Sequence, residues 1–261
     1  MQDGSQAAPG YRQSFAWWSF TEPTPPPGDL LAQAKAIGFE GVDFLPEEHW
    51  PHAAELGLEL VIIDGHMPLE EGFIDPHRHE ELREQVRVAL KKAVANNVRY
   101  VAVASGDRGP QTPEDAITAC VEGLAPLAAE AEAAGVGLLL EPLNTKVDHA
   151  GHECASTAWA AEVVERVGSP ALRILYDFYH SQIMEGDLLR TVDQYFPLIG
   201  HFHTAGVPGR HEIDERQEIN YPAVAAHLRE LGYQGFVSHE FVPLTDAAGA
   251  LRQAFEVFKP R

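Results

Sequence analysis

The chain has 261 residues, 45% of them hydrophobic and 22% charged, the composition of a folded globular protein and not of a disordered or fibrous one. Nineteen Lys and Arg stand against 39 Asp and Glu, a formal net charge of −20; a field of that sign repels phosphate backbones and anionic lipid, so neither nucleic acid nor membrane is an expected partner. No apolar run approaches the roughly 20 residues that span a bilayer, Met1 to Gly10 lacks the basic and apolar regions of a signal peptide, and Cys120 and Cys154 lack metal or redox spacing, which predicts a soluble cytoplasmic protein with two buried thiols.

The first strand-like run is Ser14 to Phe20, with Trp17 and Trp18 near its end. Pro23 to Pro27 reads as a stiff rim loop, and Asp29 to Ala36 as a helix stopped by Gly38. Gly41 to Leu45 and Leu58 to Ile63 are the next strands, followed by a helix over Pro76 to Asn96. That helix carries Leu82, Val86, Ala89, Leu90, Ala93 and Val94 as its apolar stripe, and its start, His77 to Glu81, reads as solvated. After the strand Tyr100 to Ala104, the sequence Thr112-Pro113-Glu114 opens a helix running to Ala134. Strand Val136 to Glu141, helix Ser156 to Val167 and strand Leu172 to Asp177 come next. Helix Asp187 to Tyr195, strand Ile199 to Thr204, helix Tyr221 to Leu231, strand Gly235 to Phe241 and helix Thr245 to Phe258 complete the order. Most of the strand runs are apolar throughout, as parallel strands covered on both faces are.

About eight strand–helix alternations over one chain of this length are the arithmetic of a (β/α)8 TIM barrel in a single domain, residues 1–261, with residues 1–11 expected to be flexible. A doubly wound sheet is the competitor, but no GxGxxG follows the first strand. In a barrel the working residues stand at the C-terminal strand ends. Reading the last four strands this way gives Glu141, Asp177, His203 and Glu240, one potential ligand from each. Three carboxylates brought together without a cation would repel and protonate. A divalent metal resolves this, and carboxylate with imidazole suits Mg2+, Mn2+ or Co2+. His201, two residues before His203 and of the same parity, reads as a deeper residue supporting the ligand, and His239 as pointing outward.

The segments Leu139 to Asn144, Tyr176 to Asp187, Pro208 to Glu212, Glu218 to Pro222 and Leu231 to Gly235 resemble the hydroxypyruvate isomerase family. That family lies within the xylose isomerase-like sugar isomerase and epimerase barrels, and Phe39-Glu40-Gly41-Val42-Asp43 fits the same superfamily. The resemblance implies that Glu141, Asp177, His203 and Glu240 bind the metal, that Glu141 and Glu240 transfer protons, and that His180 and Arg210 hold substrate oxygens. Hydroxypyruvate isomerases proper usually carry Gln where this chain has His203, whereas the epimerases usually carry His.

The expected activity is metal-dependent conversion of hydroxypyruvate to tartronate semialdehyde through an enediolate. A ketose 3-epimerase or related keto-sugar isomerase is the alternative; a lyase, a metal-dependent hydrolase or endonuclease, and a sugar sensor are more distant ones. Arg210 is the first candidate to receive a substrate carboxylate and Lys146 the second. His66 is a candidate substrate contact, and Trp17 and Trp18 are candidates to wall the pocket. The partners expected are a small sugar or hydroxy-keto acid and, in a homo-oligomer, further copies of the chain.

Overall fold

A computed structural model describes residues 10–22 and 28–259. Its strands are β1 (Arg12–Phe15), β2 (Gly41–Asp43), β3 (Glu59–Asp64), β4 (Tyr100–Val103), β5 (Gly137–Leu140), β6 (Leu172–Asp177), β7 (Ile199–Thr204) and β8 (Phe236–His239). All pair in parallel in the order β1-β8-β7-β6-β5-β4-β3-β2. The remaining seam, between β1 and β2, is closed by a bridge from Ala16 to Asp43 and by the Glu40 N–H donating to the Gln13 carbonyl. The sheet is therefore rolled on itself, a TIM barrel in one domain.

The helices around it are α1 (Trp17–Thr21), α2 (Leu30–Ile37), α3 (Trp50–Leu56), α4 (His79–Asn96), α5 (Pro113–Ala134), α6 (Thr157–Val167), α7 (Phe178–Met184), α8 (Leu188–Tyr195), α9 (Tyr221–Glu230) and α10 (Ala247–Phe258). Their starts follow short polar side chains that accept from the first-turn backbone: Asp29, Thr112, Ser156, Asn220 and Asp246. Gly57, Gly135 and Gly168 end α3, α5 and α6 in the left-handed conformation. Among the described residues no helix is long and apolar enough to cross a membrane.

The strand faces separate two apolar regions. The larger lies between strands and helices, while Val61, Ile62, Leu139, Leu175 and Phe236 form a smaller cluster. Leu139, Leu175 and Phe236 share parity with Glu141, Asp177 and Glu240 on their own strands, so they belong to the lumen face beneath the site. His239 has the opposite parity and points outward as expected. It is nonetheless fully buried, with Thr204 Oγ1 donating to its Nδ1, its Nε2–H donating to Gln13, and its ring against Phe258 of α10.

Several expectations need correction. The first strand ends at Phe15, and Trp17 to Thr21 is helical: once Ala16 has bridged to Asp43, the chain turns over the rim. Helices α3 and α7 were not anticipated. Val94 is 52% exposed and is not part of the α4 stripe. His79 is buried instead of solvated, its Nε2–H donating to the Phe73 carbonyl. Of the N-terminal stretch 1–11, residues 1–9 lie outside the described residues, while Tyr11 is buried and donates from its hydroxyl to the Phe258 carbonyl. The Pro23 to Pro27 loop also lies outside them. Both cysteines are free and buried.

Candidate metal centre and substrate cavity

Four strand ends converge. Glu141 follows β5, Asp177 ends β6, His203 stands in β7 and Glu240 follows β8. One ligand atom from each lies within 4.8 Å of all the others. The backbone sets this height: the Glu240 N–H donates to the Thr204 carbonyl at 2.9 Å, and Asp177 pairs with His203 in the β6–β7 register. Asp177 also caps α7 by accepting from the Tyr179 N–H at 2.8 Å through Oδ1, which leaves Oδ2 buried without a hydrogen-bond partner among the described residues. Glu141 Oε1 is buried and unpartnered in the same way.

The cluster contains three carboxylates and two groups of opposite sign, His203 and Arg210. Glu240 takes most of the positive charge: Arg210 Nη2 donates to its Oε2 at 2.6 Å, His203 Nδ1 lies 3.1 Å from that oxygen, and Trp18 Nε1 donates to Oε1 at 2.9 Å. Burial works against the charge on Glu240, but His203 and Arg210 outweigh it and hold the carboxyl well below its usual range. Burial and then the neighbouring Glu240 push Glu141 well above the usual range, and burial raises Asp177 despite Arg210. His203 is raised although burial opposes it, chiefly by Glu240 and Asp43. One site thus holds carboxylates of the same type with proton affinities driven far apart, as acid–base chemistry requires.

These groups fit a divalent cation. Unpartnered buried carboxylate oxygens, Glu141 Oε1 and Asp177 Oδ2, face a common point with an imidazole nitrogen and a third carboxylate, and a hard or borderline cation is the species that satisfies such a donor set.

Glu141 and Glu240 line a cavity of about 480 Å³ together with Trp17, Trp18, Leu143, His149, His180 and Arg210, while Asp177 and His203 are buried outside its lining. His180 is buried and its tautomer is set by Asn144, whose backbone N–H and side-chain Nδ2 both donate to His180 Nδ1, at 3.2 and 2.7 Å. The ring proton is therefore on Nε2, which has no hydrogen-bond partner among the described residues and lies 3.6 Å from Asp177 Oδ2. Burial, with Arg210 second, keeps this imidazole neutral. Arg210 sits at φ 58°, in the left-handed region, directly after Gly209 at φ 95°. The turn is held because the Arg210 N–H donates to the Gly206 carbonyl and the Val242 N–H to the Arg210 carbonyl. Its guanidinium lies 5.2 Å from the Trp18 ring and 5.1 Å from the Tyr179 ring, both cation–π distances.

Asp64, His66, Met67 and Glu22 also line the cavity. His66 accepts the Ala104 N–H at Nε2, and burial drives its pKa down to about 4, so it is neutral. Burial and the charge of Glu240 raise Asp64 to about 6. Lys146 does not line the cavity: its Nζ donates to the Ile183 carbonyl at 2.6 Å, capping the C-terminal end of α7. Both Trp17 and Trp18 line the cavity.

Sequence reasoning missed three participants: Asp43, Asn144 and His149. Asp43 is fully buried, with Oδ2 3.1 Å from His203 Nε2 and 3.0 Å from His201 Nε2. Burial opposes its charge, but the two imidazoles hold its pKa down at about 2. The strand-end rule would have found it, since Asp43 ends β2 as Asp177 ends β6.

Comparison with known proteins agrees with this picture. The family model described as xylose isomerase-like TIM barrel matches residues 31–261. A 2-oxo-tetronate isomerase from Cupriavidus necator is 34% identical over 242 residues, 85% of this chain and 90% of that one. The hydroxypyruvate isomerase of Escherichia coli is 33% identical over 178 residues, 68% of each chain. Among solved structures, an AP endonuclease, family 2, from Brucella melitensis is similar with a TM-score of 0.82 at 27% identity, covering 95% of this chain and 100% of that one.

Proposed function

Because the chain belongs to the xylose isomerase-like TIM-barrel family, among relatives that isomerise keto acids, we propose that it is a divalent-metal-dependent isomerase converting hydroxypyruvate to tartronate semialdehyde. The observation that carries this reading is the convergence of Glu141, Asp177, His203 and Glu240 within 4.8 Å, with Glu141 and Glu240 lining a cavity that Arg210 also lines.

A cation held by these four side chains would polarise the substrate carbonyl and lower the cost of negative charge on its oxygen. The chain's own groups supply the rest. Glu141 and Glu240 enter from β5 and β8 and are the two groups that move protons at carbon. One takes the proton from C3 of hydroxypyruvate; the C–H electron pair becomes the C2–C3 double bond, and the carbonyl pair moves to oxygen. The other delivers a proton to C2 while the C3 hydroxyl passes its proton to the C2 oxygen, leaving an aldehyde at C3 and a hydroxyl at C2. His180, neutral with its proton on Nε2, donates to a substrate oxygen without itself changing charge. Arg210 receives the carboxylate, sharing its guanidinium with Glu240. Trp18 and Arg210 together fix the Glu240 carboxylate, so its orientation is set before substrate arrives.

A second reading is favoured by the cavity itself. A volume of about 480 Å³ exceeds what a three-carbon acid fills, and its lining includes Glu22 and Asp64, which repel a second anionic group. A longer, neutral ketose epimerised at C3 meets both conditions. NMR in D2O with the Mn2+- or Mg2+-loaded protein separates the two: deuterium entering hydroxypyruvate with tartronate semialdehyde appearing supports the first, and exchange only at C3 of a ketose supports the second. No exchange into either substrate class overturns the enediolate reading.

A further inference from the structure

We propose that Asp43 is a positioning residue for the metal centre: by accepting the Nε2–H of His203 it fixes that imidazole with Nδ1 turned toward the carboxylates. The inference rests on the metal-dependent reading above. β2 is not a neighbour of β7 in the sheet, so Asp43 reaches His203 across the lumen. An imidazole presents its two nitrogens to different sides, and the group bonded to one decides what the other can do. Here Nε2 lies 3.1 Å from Asp43 Oδ2, while Nδ1 lies 3.1 Å from Glu240 Oε2 and 3.9 Å from Glu141 Oε1. Asp43 keeps a proton on Nε2, so Nδ1, which faces Glu240, is the nitrogen whose proton a cation replaces; without Asp43 the ring could keep its proton on Nδ1 and block that side. A carboxylate behind a ligating histidine also raises the basicity of the ligand.

The surroundings hold Asp43 in place. Its backbone bridges to Ala16 where the barrel closes, and His201 Nε2 lies 3.0 Å from the same Oδ2. Phe44 follows at φ 54°, ending the strand there, and its ring meets His203 edge-on with centroids 6.2 Å apart. Paired side chains at the end of β2 and in β7 thus give His203 one orientation instead of two. A role confined to barrel packing would require only shape, and Asn has nearly the shape of Asp.

The test uses the full chain as wild type and Asp43→Asn. Calorimetric titration with Mn2+ is expected to show binding weakened about 10–100-fold in the variant, with the circular dichroism spectrum unchanged. In metal-free protein labelled with 15N-histidine, the wild type is expected to show a slowly exchanging, low-field Nε2 proton, identified by its loss in His203→Gln and absent in Asp43→Asn. Wild-type Mn2+ affinity in a folded Asp43→Asn protein, or no such proton in the wild type, overturns the proposal. If the variant does not fold, the wild-type proton alone decides. If the wild type binds no Mn2+, the metal-centre reading fails, and the proton still reports whether Asp43 orients His203.

Discussion

Glu240 is the side chain on which the acid–base reading turns, and Glu240→Gln isolates its charge. The glutamine amide preserves volume and can still accept from Trp18 Nε1 or Arg210 Nη2, but not from both and His203 as well, because one face of the amide now carries donors. Breaking a buried ion pair outright costs about 3–5 kcal/mol when the partner is left uncompensated. Arg210 is not left so: Asp177 Oδ2 lies 3.9 Å from its Nη2, and Glu141 loses the neighbour that helped drive its pKa up. The stability loss should therefore be nearer the roughly 1.5–3 kcal/mol of a lost charge-assisted hydrogen bond, a fall in melting temperature of about 3–12 °C for a chain of this size. Catalysis suffers far more, since removing a general acid or base at carbon costs about 10²–10⁴-fold. The assay is deuterium exchange from D2O into substrate at saturating Mn2+, read by NMR beside a thermal melt. A folded Glu240→Gln protein that exchanges at the wild-type rate refutes the assignment of Glu240 to proton transfer.

Three further outcomes are expected. Chelation followed by dialysis should abolish turnover, and Mn2+, Co2+ or Mg2+ should restore it and raise the melting temperature, by the equivalent of about 2.7 kcal/mol at a hundredfold excess over the dissociation constant; full activity in protein shown metal-free by elemental analysis would contradict the centre. Arg210→Ala should reduce kcat/KM for hydroxypyruvate more than for neutral ketoses, because only the acid loses a charge partner; equal losses would mean that Arg210 serves Glu240 alone. Glu212 is buried, and its Oε1 accepts from the Leu244 N–H, the Thr245 N–H and the Thr245 hydroxyl, tying the loop after β7 to the loop after β8. Glu212→Ala should cost about 3 kcal/mol or more, seen in denaturant unfolding, and a variant as stable as the wild type would show that these loops are held by other contacts.

Local pattern was enough for much of this molecule. β5 lies inside the continuous apolar run Val136 to Leu140, since a strand covered on both faces has little polar alternation to obscure it, and β6 and β7 span the expected Leu172–Asp177 and Ile199–Thr204. Helix α5 begins at Pro113 behind its Thr112 cap and stops before Gly135, because caps act within one turn of the chain. The convergence of Glu141, Asp177, His203 and Glu240 was legible for a similar reason: in a parallel barrel, chemistry at a strand end is a statement about a residue's place along its own strand. The same reasoning failed over Trp17 to Thr21, where an aromatic run that would suit a strand is turned into a helix at the barrel seam.

What pattern alone could not decide was which side chains meet. His203 and Asp43 are 160 positions apart, and nothing near either predicts that one orients the other. Arg210 pairs with Glu240, Lys146 turns away to cap α7, and His79 finds the Phe73 carbonyl. Each outcome depends on the register of strands and loops brought together only when the sheet closes. Periodicity and caps are short-range consequences of backbone geometry and can be read from neighbours in the chain. Tautomers, charge partners and pKa values are set by distances across the lumen, which exist only in the folded barrel.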